Sequence, residues 1–573
     1  MDTKNTSTID YTDKLKRCLN VIYSNDTNKT NMAIKYFTDN NFENFKDYDI
    51  NVRILKGGSY KIKNFYLENN ILNDIRGASV LLTQVEEEII PNQIEKMISK
   101  DCIVYCGGGN IFAILPEDTQ SDFNIQLEIE AQKYLISGNI AYYLSEPIRL
   151  SKILGKEYRE TLRHIEQSLD DRKKTKIYNS PTLKSYINKI AISNTSETAK
   201  ASNSIIDIPH TPINDIKYTM CSHCNTKKAL YLLNDEKLCA SCLHKNLVGK
   251  SVKHTKYINE YKKYAPEYYK EHSQQIEQSA NSLQDIDEDY IAVVYGDGNN
   301  MGGIIQGLEK ITDMMRFSET VKSVANKSVF CSMADNDITK FEVVGLGGDD
   351  VFVIVEAKKS IKFALSLIQH YNQDFQKYYP NSPSTMAVGI AIAKTNTPIK
   401  IVLERAEEEL SKAKKLCKDK VPNGLKDTGA LSFTIIDSYE GNNGNLKLNY
   451  PAKNTLLPYE TETAQTIIKY VDSLKRSGDI SITKIYNLSE SFKKAESIEE
   501  ANLFFNYMNA KGSKSNTITL PNLINEGANI DIKIDEHYNA FYVKDYSEKL
   551  YIWDDIIDLL KYTEGANFNN HES

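Results

Sequence analysis

The segment Val343-Val-Gly-Leu-Gly347-Gly348-Asp349-Asp350-Val-Phe352-Val-Ile-Val-Glu-Ala357 reads as two apolar strands around a tight acidic turn. An imperfect copy lies upstream, Ile103-Val-Tyr-Cys-Gly107-Gly108-Gly109-Asn110-Ile-Phe112-Ala-Ile-Leu-Pro-Glu117. A constant shift of 240 positions lays Gly107 on Gly347, Gly108 on Gly348 and Phe112 on Phe352. Under that shift Gly109-Asn110 falls on Asp349-Asp350, so one copy carries acid and the other does not. The match continues to Leu162–Lys174, which falls on Val402–Lys414. Agreement at both ends points to a duplicated unit rather than two hairpins sharing a glycine turn.

Around each hairpin the apolar spacing predicts the order strand, helix, hairpin, helix, strand, helix, a ferredoxin-like βαββαβ unit. The expected divisions are an N-terminal extension (1–50), a first unit (51–175), a connecting region (176–285), a second unit (286–440) and a helical C-terminal domain (441–573). The connecting region holds a cysteine module (218–246), and Tyr257–Leu283 is expected as one charged helix rich in Tyr. The fold class is therefore α+β.

The chain has 573 residues, of which 41% are hydrophobic and 26% charged, as in globular proteins. A net charge of −7 excludes a wholly electrostatic nucleic-acid binder, though not a local basic face. No secretory signal opens the sequence, and no apolar run is long enough to span a bilayer. A cytoplasmic setting without membrane attachment is expected. Cys18, Cys102, Cys106, Cys331 and Cys417 are scattered and read as core thiols.

The second unit opens on the apolar strand Tyr290–Tyr295, which runs into Gly296-Asp297-Gly298-Asn299-Asn300-Met301-Gly302-Gly303. An acid at a strand tip followed by small residues lets phosphate and metal approach the backbone. In a βαββαβ sheet that strand lies beside the hairpin, so Asp297 is expected to face Asp349 and Asp350. Carboxylates converging there need a cation, and Mg²⁺ or Mn²⁺ suits an all-oxygen site that takes substrate phosphates. The shift of 240 places Gly57 under Asp297, so all three acidic positions are acid-free in the first unit. The competing reading is an ordinary Gly-Gly-Asp-Asp turn with a surface aspartate. Lys414, on the helix Ala406–Lys415, either holds a triphosphate as a point charge or lies on a solvated face.

Cys221-Ser-His-Cys224 and Cys239-Ala-Ser-Cys242 are fourteen residues apart. Two such knuckles signal a closed, structural Zn²⁺ site; a redox CxxC is the competing reading. The lysines that follow, Lys245, Lys250, Lys253, Lys256, Lys262 and Lys263, read as a solvated face.

Taken in order, these pieces resemble the large palm-domain (polymerase-cyclase) subunit of type III CRISPR effector complexes, from about Asn51 to Gly512. The stretch Leu72-Asn-Asp-Ile-Arg76-Gly77-Ala-Ser79, the cysteine module and the strand Ala387–Ala391 belong to the same resemblance. It implies two facing palms with a zinc-ribbon-like insert. ATP would bind between them, with Gly298, Asn299, Asn300, Gly347, Gly348 and Lys414 on one side and Gly107, Gly108 and Asn110 on the other. Asp297, Asp349 and Asp350 would carry the metals, and a 3′-hydroxyl would attack the α-phosphate of the next ATP. Cyclic oligoadenylates, second messengers of antiviral defence, would result.

Two departures stand out. Many members carry an N-terminal HD nuclease domain, whereas no His precedes His164 and no His-Asp dipeptide occurs, so no DNase of that type is expected. Asn299 stands where many members have a second acid. Guide RNA and other complex subunits are the implied partners. The alternatives are a non-catalytic nucleotide-sensing scaffold and a dinucleotide cyclase acting as a homodimer.

Overall fold

Strands form where the apolar runs predict them. In the computed structural model β1 (Asn51–Tyr60), β2 (Ile103–Gly107), β3 (Asn110–Pro116) and β4 (Asn139–Leu144) lie in the order β2-β3-β1-β4. The structure describes residues 11–39, 41–107, 109–174, 211–212, 219–251, 255–278, 280, 282–380, 384–420, 427–436, 441–442, 445–446, 455–477, 481–511, 517–521, 532–544 and 548–564. Most of the connection 176–215, together with Gly108 and Lys253, falls outside them. The chain divides into two compact units. One comprises Met1–Ile258, Asn300–Asn326 and Val343–Asp350; the other comprises Asn259–Asn299, Lys327–Glu342 and Val351–Ser573.

In the first unit, α1 (Leu72–Gln84), α2 (Phe123–Leu135) and α3 (Tyr158–Lys174) accompany the sheet, and two N-terminal helices, Tyr11–Ile22 and Thr27–Asp39, precede it. Between β1 and β4, Gly57 pairs with Tyr142. Its φ is +152°, and a Cβ there would meet the Ala141 carbonyl oxygen at 2.1 Å. The position that aligns with Asp297 is thus closed to any side chain. After Ser251, α4 (Ala240–Ser251) gives way to two short helices, Thr255–Tyr264 and Pro266–Ile276, in place of the single expected helix. Pro266 causes the break, because proline lacks the N–H that a continuing helix requires.

The second palm repeats the first. Its strands are β5 (Tyr290–Gly298), β6 (Phe341–Gly347), β7 (Asp350–Glu356) and β8 (Met386–Lys394), in the order β6-β7-β5-β8. Beyond β8, β9 (Ala430–Ile436) adds in parallel and Tyr459–Glu460 follows antiparallel. Ile291–Val294 of β5 are fully buried, as a central strand covered on both faces requires. Three helices follow the hairpin order: α5 (Ile311–Asp335) before it, then α6 (Ala357–Tyr378) and α7 (Ile399–Lys420). On α6 the stripe Ile361, Ala364, Ile368, Tyr371 and Phe375 is buried, an apolar face at helical spacing.

The C-terminal region holds helices Thr461–Ser477, Ile482–Lys494, Ile498–Ala510 and Trp553–Tyr562. Ser481 and Ser497 cap two of them by accepting the Lys484 and Glu500 amides. Buried Trp553 packs on Phe492 and Phe505. A three-stranded sheet (Ile532–Ile534, Tyr542–Lys544, Glu548–Leu550) joins these helices, so the region is not purely helical. Strands of three residues are too short to show a period in sequence.

Candidate nucleotide and metal sites

Asp297 is the penultimate residue of β5, paired in register with Ala387 of β8. Its Oδ2 lies 2.5 Å from Nζ of Lys414 on α7, and both side chains remain partly exposed. Next along the chain, Asn299 is buried. Its amide donates to Thr385 Oγ1 at 2.8 Å and to Asp427 Oδ2 at 3.4 Å, and its carbonyl accepts from Ser384 Oγ at 2.6 Å. Asp427 also accepts from Thr385 Oγ1 and from the Gly429 amide. Asn299 therefore ties the strand tip to two loops. A carboxylate there would face Asp427 and lose a donor, which explains the amide at a position where an acid was the family expectation. Asn300 follows in the left-handed region at φ 60° and precedes the helix Met301–Gly307.

The first unit contains a cavity of about 380 Å³, within the size range of small-molecule sites. Gly107 and Asn110 of the acid-free turn line it, together with Gly348 and Asp349 of the acidic turn. Three lysines reach its wall: Lys56, Lys173 and Lys322. Lys56 is buried and sits 2.6 Å from Glu166 Oε1, while Lys322 sits 2.6 Å from Glu87 Oε1. Tyr105 and Phe317 supply aromatic surface. Burial, then the nearby Tyr158 and Glu166 oxygens, push the Tyr105 hydroxyl above the usual tyrosine range, so it stays neutral. Lys173 likewise pairs with Asp170, at 3.0 Å, and Glu166, Asp170 and Asp349 share the lining, so each lysine here is matched by a carboxylate that an entering polyphosphate would have to replace.

Of the residues singled out from sequence, this cavity gathers Gly107, Asn110, Gly348 and Asp349. Asn300, Gly347 and Asp350 belong to the same unit without lining it, whereas Asp297, Gly298, Asn299 and Lys414 belong to the other. Gly108 lies outside the described residues. Sequence reasoning passed over Lys56 and Lys322. Lys56 had a signal, because a lone lysine in the run Val52–Gly58 has to be buried with a partner.

The Sγ atoms of Cys221, Cys224, Cys239 and Cys242 all lie within 4.8 Å of one another, and all four residues are buried. The Cys224–Cys239 separation is 3.9 Å. Four thiolates at about 2.3 Å from a tetrahedral Zn²⁺ would stand about 3.8 Å apart, so this cluster could hold zinc. No other group of three such ligand atoms converges among the described residues. Asn69 donates to Cys242 Sγ at 3.4 Å.

Helix α4 leaves this cluster and packs on α1 at very short range. A Cβ on Gly77 would meet the Lys245 carbonyl at 1.9 Å, and one on Gly249 the Asn73 carbonyl at 1.8 Å. Buried Asp74 accepts from Asn69 and Asn246 at 2.7 Å each and pairs with His223 Nδ1 at 2.8 Å. The stretch Leu72–Ser79 is thus the seat of the cysteine module. Lys245 corrects the expected solvated face: it is buried, 3.8 Å from the Phe65 ring centroid and 2.5 Å from Glu68 Oε2. Burial lowers its ammonium to about 8 against the pull of nearby acidic groups. Lys262 and Lys263 are exposed as expected.

Two sheets that share one order over four strands, with a cysteine module seated on the first, define a duplicated βαββαβ protein. Residues 290–422 match the family model for Cas10/Cmr2, second palm domain. The fold is similar to a Csm1–Csm4 cassette crystallised in complex with AMPPNP, with 13% identity, 89% of this chain and 69% of that chain covered, and a TM-score of 0.50. The cassette in complex with pppApA gives 12% identity, coverage of 94% and 74%, and a TM-score of 0.50. Csm1 of T. onnurineus gives 12% identity, coverage of 90% and 70%, and a TM-score of 0.51. No curated protein matches the chain.

Proposed function

We propose that this chain is a metal-dependent nucleotidyltransferase that joins ATP into oligoadenylates, closing them into rings, in type III CRISPR defence. The observation that carries the reading is the cavity in which the acidic turn Gly348-Asp349 meets the acid-free turn at Gly107 and Asn110. The binding of AMPPNP and pppApA to the cassettes of similar fold favours ATP as the substrate. Their Csm1–Csm4 composition favours a place beside other type III subunits.

Carboxylates are the donor chemistry that a hard divalent cation takes, though among the described residues Asp297, Asp349 and Asp350 do not converge as a cluster. Asp297 already draws a cation, the Lys414 ammonium, to 2.5 Å. Gly296, which precedes Asp297, is the register partner of Val351, which follows Asp350. Asp297, Asp349 and Asp350 would hold Mg²⁺ or Mn²⁺, which supplies positive charge to the triphosphate and acidifies a coordinated hydroxyl. The chain's own groups do the rest. Lys56, Lys173 and Lys322 bind the polyphosphate as point charges, and Asn110 and the glycine turns let the nucleotide approach the backbone. Attack of a 3′-oxygen forms one P–O bond at the α-phosphorus and breaks the α–β bridge, releasing pyrophosphate.

The test is pyrophosphate release from ATP and Mn²⁺ by the purified chain. Asp349→Ala combined with Asp350→Ala should reduce it at least about a hundredfold, the scale of losing charge stabilisation in the transition state. Unchanged release in the double variant refutes the assignment.

A further inference from the structure

Helix α1 does not continue regularly into the next helix. Val85–Ile89 forms a π turn, with the Ile90 amide donating to the Val85 carbonyl. Such wide turns are rare and concentrate at functional sites. This one carries three successive acids, Glu86, Glu87 and Glu88. The Gly109 amide donates to Glu86 Oε2 at 3.1 Å. The Cys106 thiol donates to the Glu86 backbone carbonyl at 2.8 Å. Burial pushes that thiol up to about 12, with Glu86 adding to the effect, so it remains a donor at neutral pH. The neighbouring Glu87 takes Lys322, a cavity-lining residue, at 2.6 Å.

Gly109 is the residue that the shift of 240 lays under Asp349. Its φ of +81° is a conformation that glycine alone adopts cheaply, and on either side of it Gly107 and Asn110 line the cavity. A glycine run is the most freely rotating backbone there is, so a defined wall needs an external anchor. We propose that Glu86 is a positioning residue that clamps the acid-free turn Gly107–Asn110 into the wall of the nucleotide cavity. The second palm puts acid on its turn; in the first, an acid on a neighbouring helix holds the turn's main chain. The clamp is read from these contacts alone, while its ligand rests on the nucleotide function proposed above.

The experiment uses the full chain, with AMPPNP and Mn²⁺ binding followed by calorimetry and amide exchange of the 103–112 region followed by mass spectrometry. Glu86→Ala should weaken AMPPNP about tenfold, the loss of one hydrogen bond to a charged group, and speed exchange at Gly109. Glu86→Gln keeps an acceptor oxygen and should stay within about twofold of the parent on both readouts. Glu86→Asp, one methylene too short, should behave like Ala and serves if Glu86→Ala does not fold. Parent-like affinity in both Ala and Asp variants, or Gln as weak as Ala, overturns the proposal. If the parent binds no AMPPNP, the nucleotide reading fails. Exchange at Gly109 then decides the clamp alone, faster upholding it and unchanged overturning it.

Discussion

Lys414 and Asp297 are held together by the attraction between an ammonium and a carboxylate 2.5 Å apart. A metal ion arriving at Asp297 must displace that ammonium, which would then be released toward a phosphate. At a partly exposed site the pair is worth about 1 kcal/mol, or roughly fivefold in competition. Lys414→Ala should therefore lower the half-saturating Mn²⁺ concentration of the nucleotide-free protein about fivefold; an unchanged titration denies the competition. Asn299→Asp makes the opposite point. It removes the donor to Thr385 and sets a second carboxylate against Asp427, so it should cost about 1–3 kcal/mol in urea unfolding. A gain in metal affinity instead would show that Asn299 faces the ion. The glycine and aspartate pattern of the two turns was legible because turn chemistry is local. The partners of buried Lys56 and Lys245 were not, because they lie far along the chain, at Glu166 and Glu68.

Elements that pair through charge respond to acid. Asp374 on α6 meets Lys327 on α5 at 2.6 Å and Lys377 at 2.7 Å. Burial alone would raise its carboxyl, but the two ammonium groups override this and hold it below the usual carboxylate range. A lowered folded value means that the stabilisation is complete above the unfolded value of about 3.9 and is lost as pH falls through the folded one. Asp374→Asn should therefore flatten the acid limb of the stability curve, read as unfolding midpoints between about pH 6 and pH 2.5. An acid limb as steep as the parent's counts against the clip. The cysteine module is the other element with a clear test. Cys239→Ser should release zinc and leave the 219–251 region open to protease, since metal binding there supplies folding energy. Normal resistance with no bound zinc denies the structural role. Helices, hairpins and the paired CxxC were readable from period and spacing. The π turn was not, because Leu72–Glu88 has helical spacing throughout and a single extra residue per turn leaves no mark on it.

Across the molecule, the repeat seen at a shift of 240 reappears as two sheets with the same strand order. That order was legible because each palm's core strands are apolar runs bounded by glycine or polar turns. The small C-terminal sheet was not, since its strands are three residues long and paired only through tertiary context. The two halves have also ceased to be interchangeable at one point. With the Ala141 carbonyl sitting where a β-carbon would go, an aspartate cannot stand at Gly57 with the backbone as it is. A side chain there would require β4 to move away from β1. The backbone itself thus keeps the two halves distinct, since a carboxylate can stand at the strand tip of one and not at the matching position of the other.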